Sequence, residues 1–120
     1  MALLEIDRLP LRAKSIKLAN KSLRHGQIAY AVGNSQNHGI GISKGIISVP
    51  LIRINYNDVV REVIQIDITI TNGNSGGALL SDKGKLIGIT TFRVRDSLGQ
   101  VVFGLAYAIP IDVVMMFLNS

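Results

Sequence analysis

At 120 residues with a formal charge of +5 and nearly half its residues apolar, the chain is long enough for one small domain with a real core. No apolar run is long enough to span a bilayer, and the absence of cysteine excludes disulfides and thiolate metal sites. The two histidines, His25 and His38, lack ligand spacing, so neither a metal nor a cofactor is expected.

The N-terminus reads MALLEIDRLPLR. It has no basic region ahead of its apolar residues and no A-x-A-like site, so it is not a signal peptide. Residues 1–6 form a short apolar run that predicts a strand, and 7–11 turn around Pro10. Residues 15–19 alternate and predict a second strand. Six of the thirteen basic residues fall within the first 24. A solvated face explains them, and the few aromatics are not interleaved with the charges, so no nucleic-acid partner is expected.

Residues 20–26 are turn-like, and 27–32 predict a strand that ends at Gly33-Asn34. Residues 33–41 form a polar, glycine-rich loop. A strand over 42–49 is stopped by Pro50, 51–54 alternate weakly, and 55–58 make a turn. Residues 59–68 are strongly β-branched. After the serine block described below, 96–100 turn again and 101–109 form the last strand. Pro110 suits a helix start, and 111–119 are expected to be helical. Many strands at short spacing predict an all-β antiparallel barrel or sandwich with one late helix.

The chemistry concentrates in TNGNSGGALL, residues 71–80. Ser75 stands between glycines, which permit backbone angles forbidden to other residues and let an acyl group approach closely. Successive N–H groups of such a turn can stabilise an oxyanion. G-x-S-x-G is also the nucleophile elbow of α/β-hydrolases, where a helix follows the serine. Here an apolar run, a turn at Asp82-Lys83-Gly84 and a β-branched run over 85–91 follow instead, which predicts a hairpin.

The block GNSGGALLSDKGKLIGITT resembles the trypsin-fold serine proteases, and within them the HtrA/Deg branch. Four further passages resemble that branch. Leu23 to Asn34 is similar to its L-x-x-G-(D/E/Q)…A-I-G-N passage, and Ser43-Lys44-Gly45-Ile46-Ile47-Ser48 to its T-x-G-I-V-S strand. Ile64-Gln65-Ile66-Asp67 is similar to I-Q-T-D, and the run from Gly104 to Pro110 to G-x-G-F-A-I-P. Ser35 and Ile66 depart from the branch, standing where it often has proline and threonine.

The resemblance implies a six-stranded Greek-key barrel, the second of two in the branch's protease domain. It implies that residues 1–11 are the last strand and connector of the first barrel, whose catalytic histidine and aspartate this sequence lacks. Neither His25 nor His38 fits the branch's histidine motif. Ser75 would be the nucleophile, with an oxyanion hole from the N–H groups of Gly73, Asn74 and Ser75. Substrate would lie along Thr91, Phe92 and Arg93, with a side-chain pocket at Thr69, Ile70, Thr91 and from Leu105 and Ala106 to Tyr107. Thr69 stands where an acid would select Lys or Arg, so a small or medium aliphatic residue is expected. Implied partners are a peptide or unfolded protein substrate, and the missing barrel or a second copy. The implied setting is exported, cell-envelope or organellar. Alone, the chain would be an inactive serine endopeptidase fragment. The other reading is a non-catalytic peptide-binding or assembly barrel.

Overall fold

A computed structural model of the chain describes every residue except Lys21, Ser35, Gln36 and Asn72, and describes Phe92, Arg93, Val94, Val101 and Phe103 by backbone alone. The elements are β1 (Ile28–Gly33), β2 (Gly41–Tyr56), β3 (Val59–Ile66), β4 (Ala78–Ser81), β5 (Leu86–Arg95), β6 (Val101–Pro110) and α1 (Ile111–Leu118). The strands close into an antiparallel barrel in the order β1-β2-β3-β6-β5-β4. Two three-stranded meanders, β1-β2-β3 and β4-β5-β6, meet at β3 and β6, which pair at Ile64↔Ala108 and Ile66↔Ala106, and at β1 and β4, which pair at Ala31↔Leu79. Closure pairs each strand on both sides, except where one outruns its neighbour: the β4–β5 ladder ends at Ala78↔Ile89, and β5 continues to Arg95.

The interior is narrow and aliphatic. Ala29, Ile47, Ile64, Ile66, Leu79, Ala106 and Ala108 have no exposed surface, and small residues on β1 and β6 face branched ones on β2, β3 and β4, as a small barrel requires. Each buried isoleucine or leucine is worth roughly 1.5–3 kcal/mol of apolar burial.

Local chemistry explains most turns. The β2–β3 connection is two residues, Asn57 and Asp58, both at positive φ (51° and 63°), the type I′ pattern that suits strand twist. The β4–β5 and β5–β6 turns share one construction. In the first, Gly84 (φ 74°) donates to the Ser81 carbonyl at 3.0 Å and Ser81 N–H to the Lys85 carbonyl at 2.8 Å. In the second, Gly99 (φ 79°) donates to the Asp96 carbonyl at 3.0 Å and Asp96 N–H to the Gln100 carbonyl at 2.8 Å.

Three expectations are corrected. Pro50 does not stop a strand: β2 runs through it for 16 residues. The ladder shifts register between Ile47 and Val49 and again between Val49 and Ile52, so the proline falls where a bulge relieves it of a ladder hydrogen bond. Residues 15–19 make a single parallel bridge, Leu18 to Leu86, rather than a strand. Residues 1–6 form no strand and are exposed throughout; among the described residues no strand pairs with them.

Candidate active site

Ser75 lies on the turn between β3 and β4. The turn is shaped by Gly73 (φ 94°) and Gly76 (φ 86°), angles that a side chain would strain. Asn74 N–H donates to the Thr71 carbonyl at 3.1 Å and Gly77 N–H to the Asn74 carbonyl at 2.9 Å. Ser75 itself is exposed.

Two elements hold this turn from behind. On one side the end of β1 presses against it: Asn34 N–H donates to the Gly73 carbonyl at 3.2 Å. A Cβ on Gly33 would stand 2.7 Å from Asn74 Oδ1, and one on Gly77 would stand 2.1 Å from the Val32 carbonyl oxygen. Glycine at both positions is a packing requirement. On the other side Thr90 of β5 uses every polar group it has. Its N–H donates to the Gly77 carbonyl at 3.0 Å and its carbonyl accepts from Gly76 N–H at 2.7 Å. Its Oγ1 donates to the Asn74 carbonyl at 2.5 Å, with the Gly77 carbonyl 3.3 Å away. Thr90 is 1% exposed, so these bonds are shielded from water.

The expected oxyanion donors separate. Asn74 N–H is already committed to Thr71, which corrects its assignment as a donor to substrate. Among the described residues, the N–H groups of Gly73 and Ser75 have no acceptor. The Ser75 hydroxyl donates to the Thr91 carbonyl. Both histidines are exposed, and neither is its partner.

The expected substrate residues divide as well. Ile70, 2% exposed, and Ala106, fully buried, belong to the barrel core, so their side chains shape a pocket only from behind. Thr69, Thr91 and Leu105 are half-buried. Thr69 Oγ1 lies 3.5 Å from the N–H of Gly104, which ties the approach to the serine turn to β6 where Gly104 adopts φ 75°. Arg93 pairs with Ala106 in the β5–β6 ladder; its side chain and that of Phe92 lie outside the described residues.

Two residues with a part in the site carried no assignment from the sequence. Thr90 was indistinguishable from Thr91 in a β-branched run. Asp67 was legible only as part of a motif. Its Oδ1 accepts the Ile46 N–H at 2.7 Å and occupies the space a Cβ on Gly45 would need, 2.3 Å from it. That carboxylate locks β2 to the segment leading into the serine turn. Among the described residues no three His, Asp or Glu side chains come together as a metal site would need, and no helix is long and apolar enough to cross a membrane.

A closed antiparallel barrel that presents an exposed serine on a glycine turn, with two N–H groups lacking an acceptor among the described residues, is the arrangement of a trypsin-type barrel. The family model for the trypsin-like peptidase domain matches residues 1–89. The serine endoprotease DegS of Haemophilus influenzae is 41% identical over 90 residues, covering 73% of this chain and 26% of that protein. The Do-like serine protease HtrA of Lactobacillus helveticus is 35% identical over the whole chain and 30% of its own length. A solved structure of the HtrA-type protease AlgW with a tripeptide superposes with a TM-score of 0.78 at 33% identity, over 96% of this chain and 37% of that one. The chain belongs to the trypsin-like peptidases and, within them, to the HtrA/Deg serine proteases. It spans about a quarter to a third of the length of the curated relatives it matches.

Proposed function

We infer that these 120 residues supply the nucleophile, oxyanion hole and substrate-pairing strand of an HtrA-type serine endopeptidase, with the histidine base and its orienting carboxylate coming from outside them. The observation that carries this reading is the Ser75 turn, exposed at its hydroxyl and held from behind by Thr90. In the reaction Ser75 Oγ attacks the scissile carbonyl while the base takes its proton. The N–H groups of Gly73 and Ser75 receive the oxyanion. An extended peptide adds alongside Thr91, Phe92 and Arg93 through main-chain hydrogen bonds, and the half-buried Thr69 and Leu105 favour a small or medium aliphatic side chain. Before attack the Ser75 hydroxyl must leave the Thr91 carbonyl.

The N-terminal segment supports the need for a partner. Leu3, Leu4, Ile6, Leu9 and Leu11 are all more than half exposed, Leu11 completely so. Consecutive apolar side chains in water mark a surface that another barrel or a second copy would cover.

Reaction with a fluorophosphonate probe tests the proposal. The isolated chain should label no faster than its Ser75→Ala variant, because an unassisted serine is a poor nucleophile. Ser75-dependent labelling of the isolated chain would show that the base lies within these residues and would overturn the division of labour.

A further inference from the structure

At the end of β4 away from Ser75, the segment leading into β1 passes the β4–β5 turn and leaves a cavity of about 450 Å³, within the ~300–1,000 Å³ usual for ligand pockets. Leu23 and Ile87 give it an apolar wall, and among the described residues Arg24, Lys83 and Lys85 line it against one carboxylate, Asp82. Ser81 also lines it and is 8% exposed. Ser81 Oγ accepts the N–H groups of Lys83 and Lys85, at 3.3 and 3.2 Å. Both its lone pairs are thereby used, and among the described residues no acceptor takes its proton. A buried hydroxyl with an unspent proton, in a cavity lined by three cationic residues, is a place for a carboxylate.

A second cavity of about 360 Å³ adjoins the first, sharing the apolar Ala19, Leu23 and Ile87 and the polar Asn20 and Ser22. It runs on to Leu51, Pro110 and Ile111, with Asp112 at its polar margin. The pair therefore reads as cationic at one end and aliphatic at the other. A free phosphate would leave the aliphatic end empty. A nucleic-acid strand would need stacking surfaces, and among the described residues no aromatic side chain lines either cavity.

We propose that this groove binds an extended acidic–aliphatic peptide segment of a partner protein, independently of Ser75. Its carboxylate is held by Arg24, Lys83, Lys85 and the Ser81 hydroxyl, and its aliphatic side chain lies against Leu51 and Ile111. Charge complementarity selects the acid, and the shared apolar wall selects the neighbour.

Fluorescence anisotropy with a labelled glutamate–leucine heptapeptide tests this, using the Ser75→Ala chain so that no cleavage intervenes. The lysine–leucine counterpart should bind at least about ten-fold more weakly. A Lys83→Glu/Lys85→Glu double variant should lose about ten-fold in affinity, and Leu51→Asp about five-fold, each with an unchanged far-ultraviolet circular dichroism spectrum. Equal binding of the two peptides, or indifference to both variants, would overturn the proposal. So would displacement by inorganic phosphate at the peptide's own concentration, or tighter binding of a thymidine oligonucleotide. None of these outcomes depends on whether Ser75 is reactive.

Discussion

The N-terminal stretch and the serine block are written in a similar alphabet and meet opposite fates. Leu3, Leu4 and Ile6 are as apolar as Leu79, Leu80 and Ile87, yet Leu4 is 83% exposed while Leu79 has no exposed surface. The difference lies in partners, not in composition. Leu79 faces Ala31 on one side and Gly88 on the other in consecutive ladders, so its side chain is carried inward by two strands. Residues 1–6 join no strand ladder among the described residues. An apolar alternating run specifies a demand for pairing, and whether the demand is met depends on elements elsewhere.

The bluntest way to break this comparison is to truncate one leucine from each region. Leu79→Ala should cost about 2–5 kcal/mol, seen as a large fall in the urea midpoint. Leu4→Ala should change it by less than about 0.5 kcal/mol. A comparable loss at both positions would mean that the N-terminal stretch packs in solution. The next test stays inside the serine block. Gly77→Ala places a methyl 2.1 Å from the Val32 carbonyl oxygen, and the backbone of β1 must yield, at about 3 kcal/mol. The same change at Gly26, where nothing lies within 4 Å of the added carbon, meets only its positive φ of 79°, and should cost about 1 kcal/mol.

Thr90 sharpens the comparison at the level of one hydroxyl. Thr90→Val keeps the shape and removes the donor to the Asn74 carbonyl; the loss should be about 1–3 kcal/mol because the acceptor stays buried. Thr90→Ser should recover most of it. Amide exchange at Gly76 and Gly77 separates local from global effects: in the valine variant these two should exchange faster than the core strands by more than the fall in global stability. Asp67→Ala should be milder, about 1 kcal/mol, since its carboxylate is exposed and water can take over the Ile46 N–H it now accepts.

What the sequence revealed follows the range of the interactions. The two similar hairpin turns were legible because each is written in a few adjacent residues: an oxygen-bearing residue at one end and glycine three positions later. The serine turn was legible for the same reason, and its family resemblance extended the reading to the barrel. Pro50 was misread as a stop because the bulges that accommodate it are a property of the β2–β3 register, which no local pattern announces. The part played by Thr90 was hidden more deeply. Alternation says that one of Thr90 and Thr91 points inward, but which one depends on how β5 is aligned against the serine turn. Asn74 was assigned as an oxyanion donor together with its two neighbours through the family resemblance; only the fold reveals that its N–H closes a turn with Thr71.

The smallest expected effect concerns the part of the barrel that most resembles the N-terminal stretch in its exposure. Near the tip of the β2–β3 hairpin, Arg53 faces Glu62 across the ladder, with their charged atoms 3.3 Å apart and the side chains 77% and 45% exposed. Water screens such a pair, and two long side chains must be ordered to make it, so its net worth is about 0–0.5 kcal/mol. Arg53→Met keeps much of the stem and removes the charge. A double-mutant cycle with Glu62→Gln should return a coupling inside that range, shrinking further at 1 M salt, where the Debye length falls to about 3 Å. A coupling above about 1 kcal/mol would mean that the hairpin tip is shielded from solvent, as it would be against a second copy of the chain. In that case the hairpin, like residues 1–6, would be a surface awaiting its partner, and the contrast between the closed barrel and its open margins would widen from one segment to two.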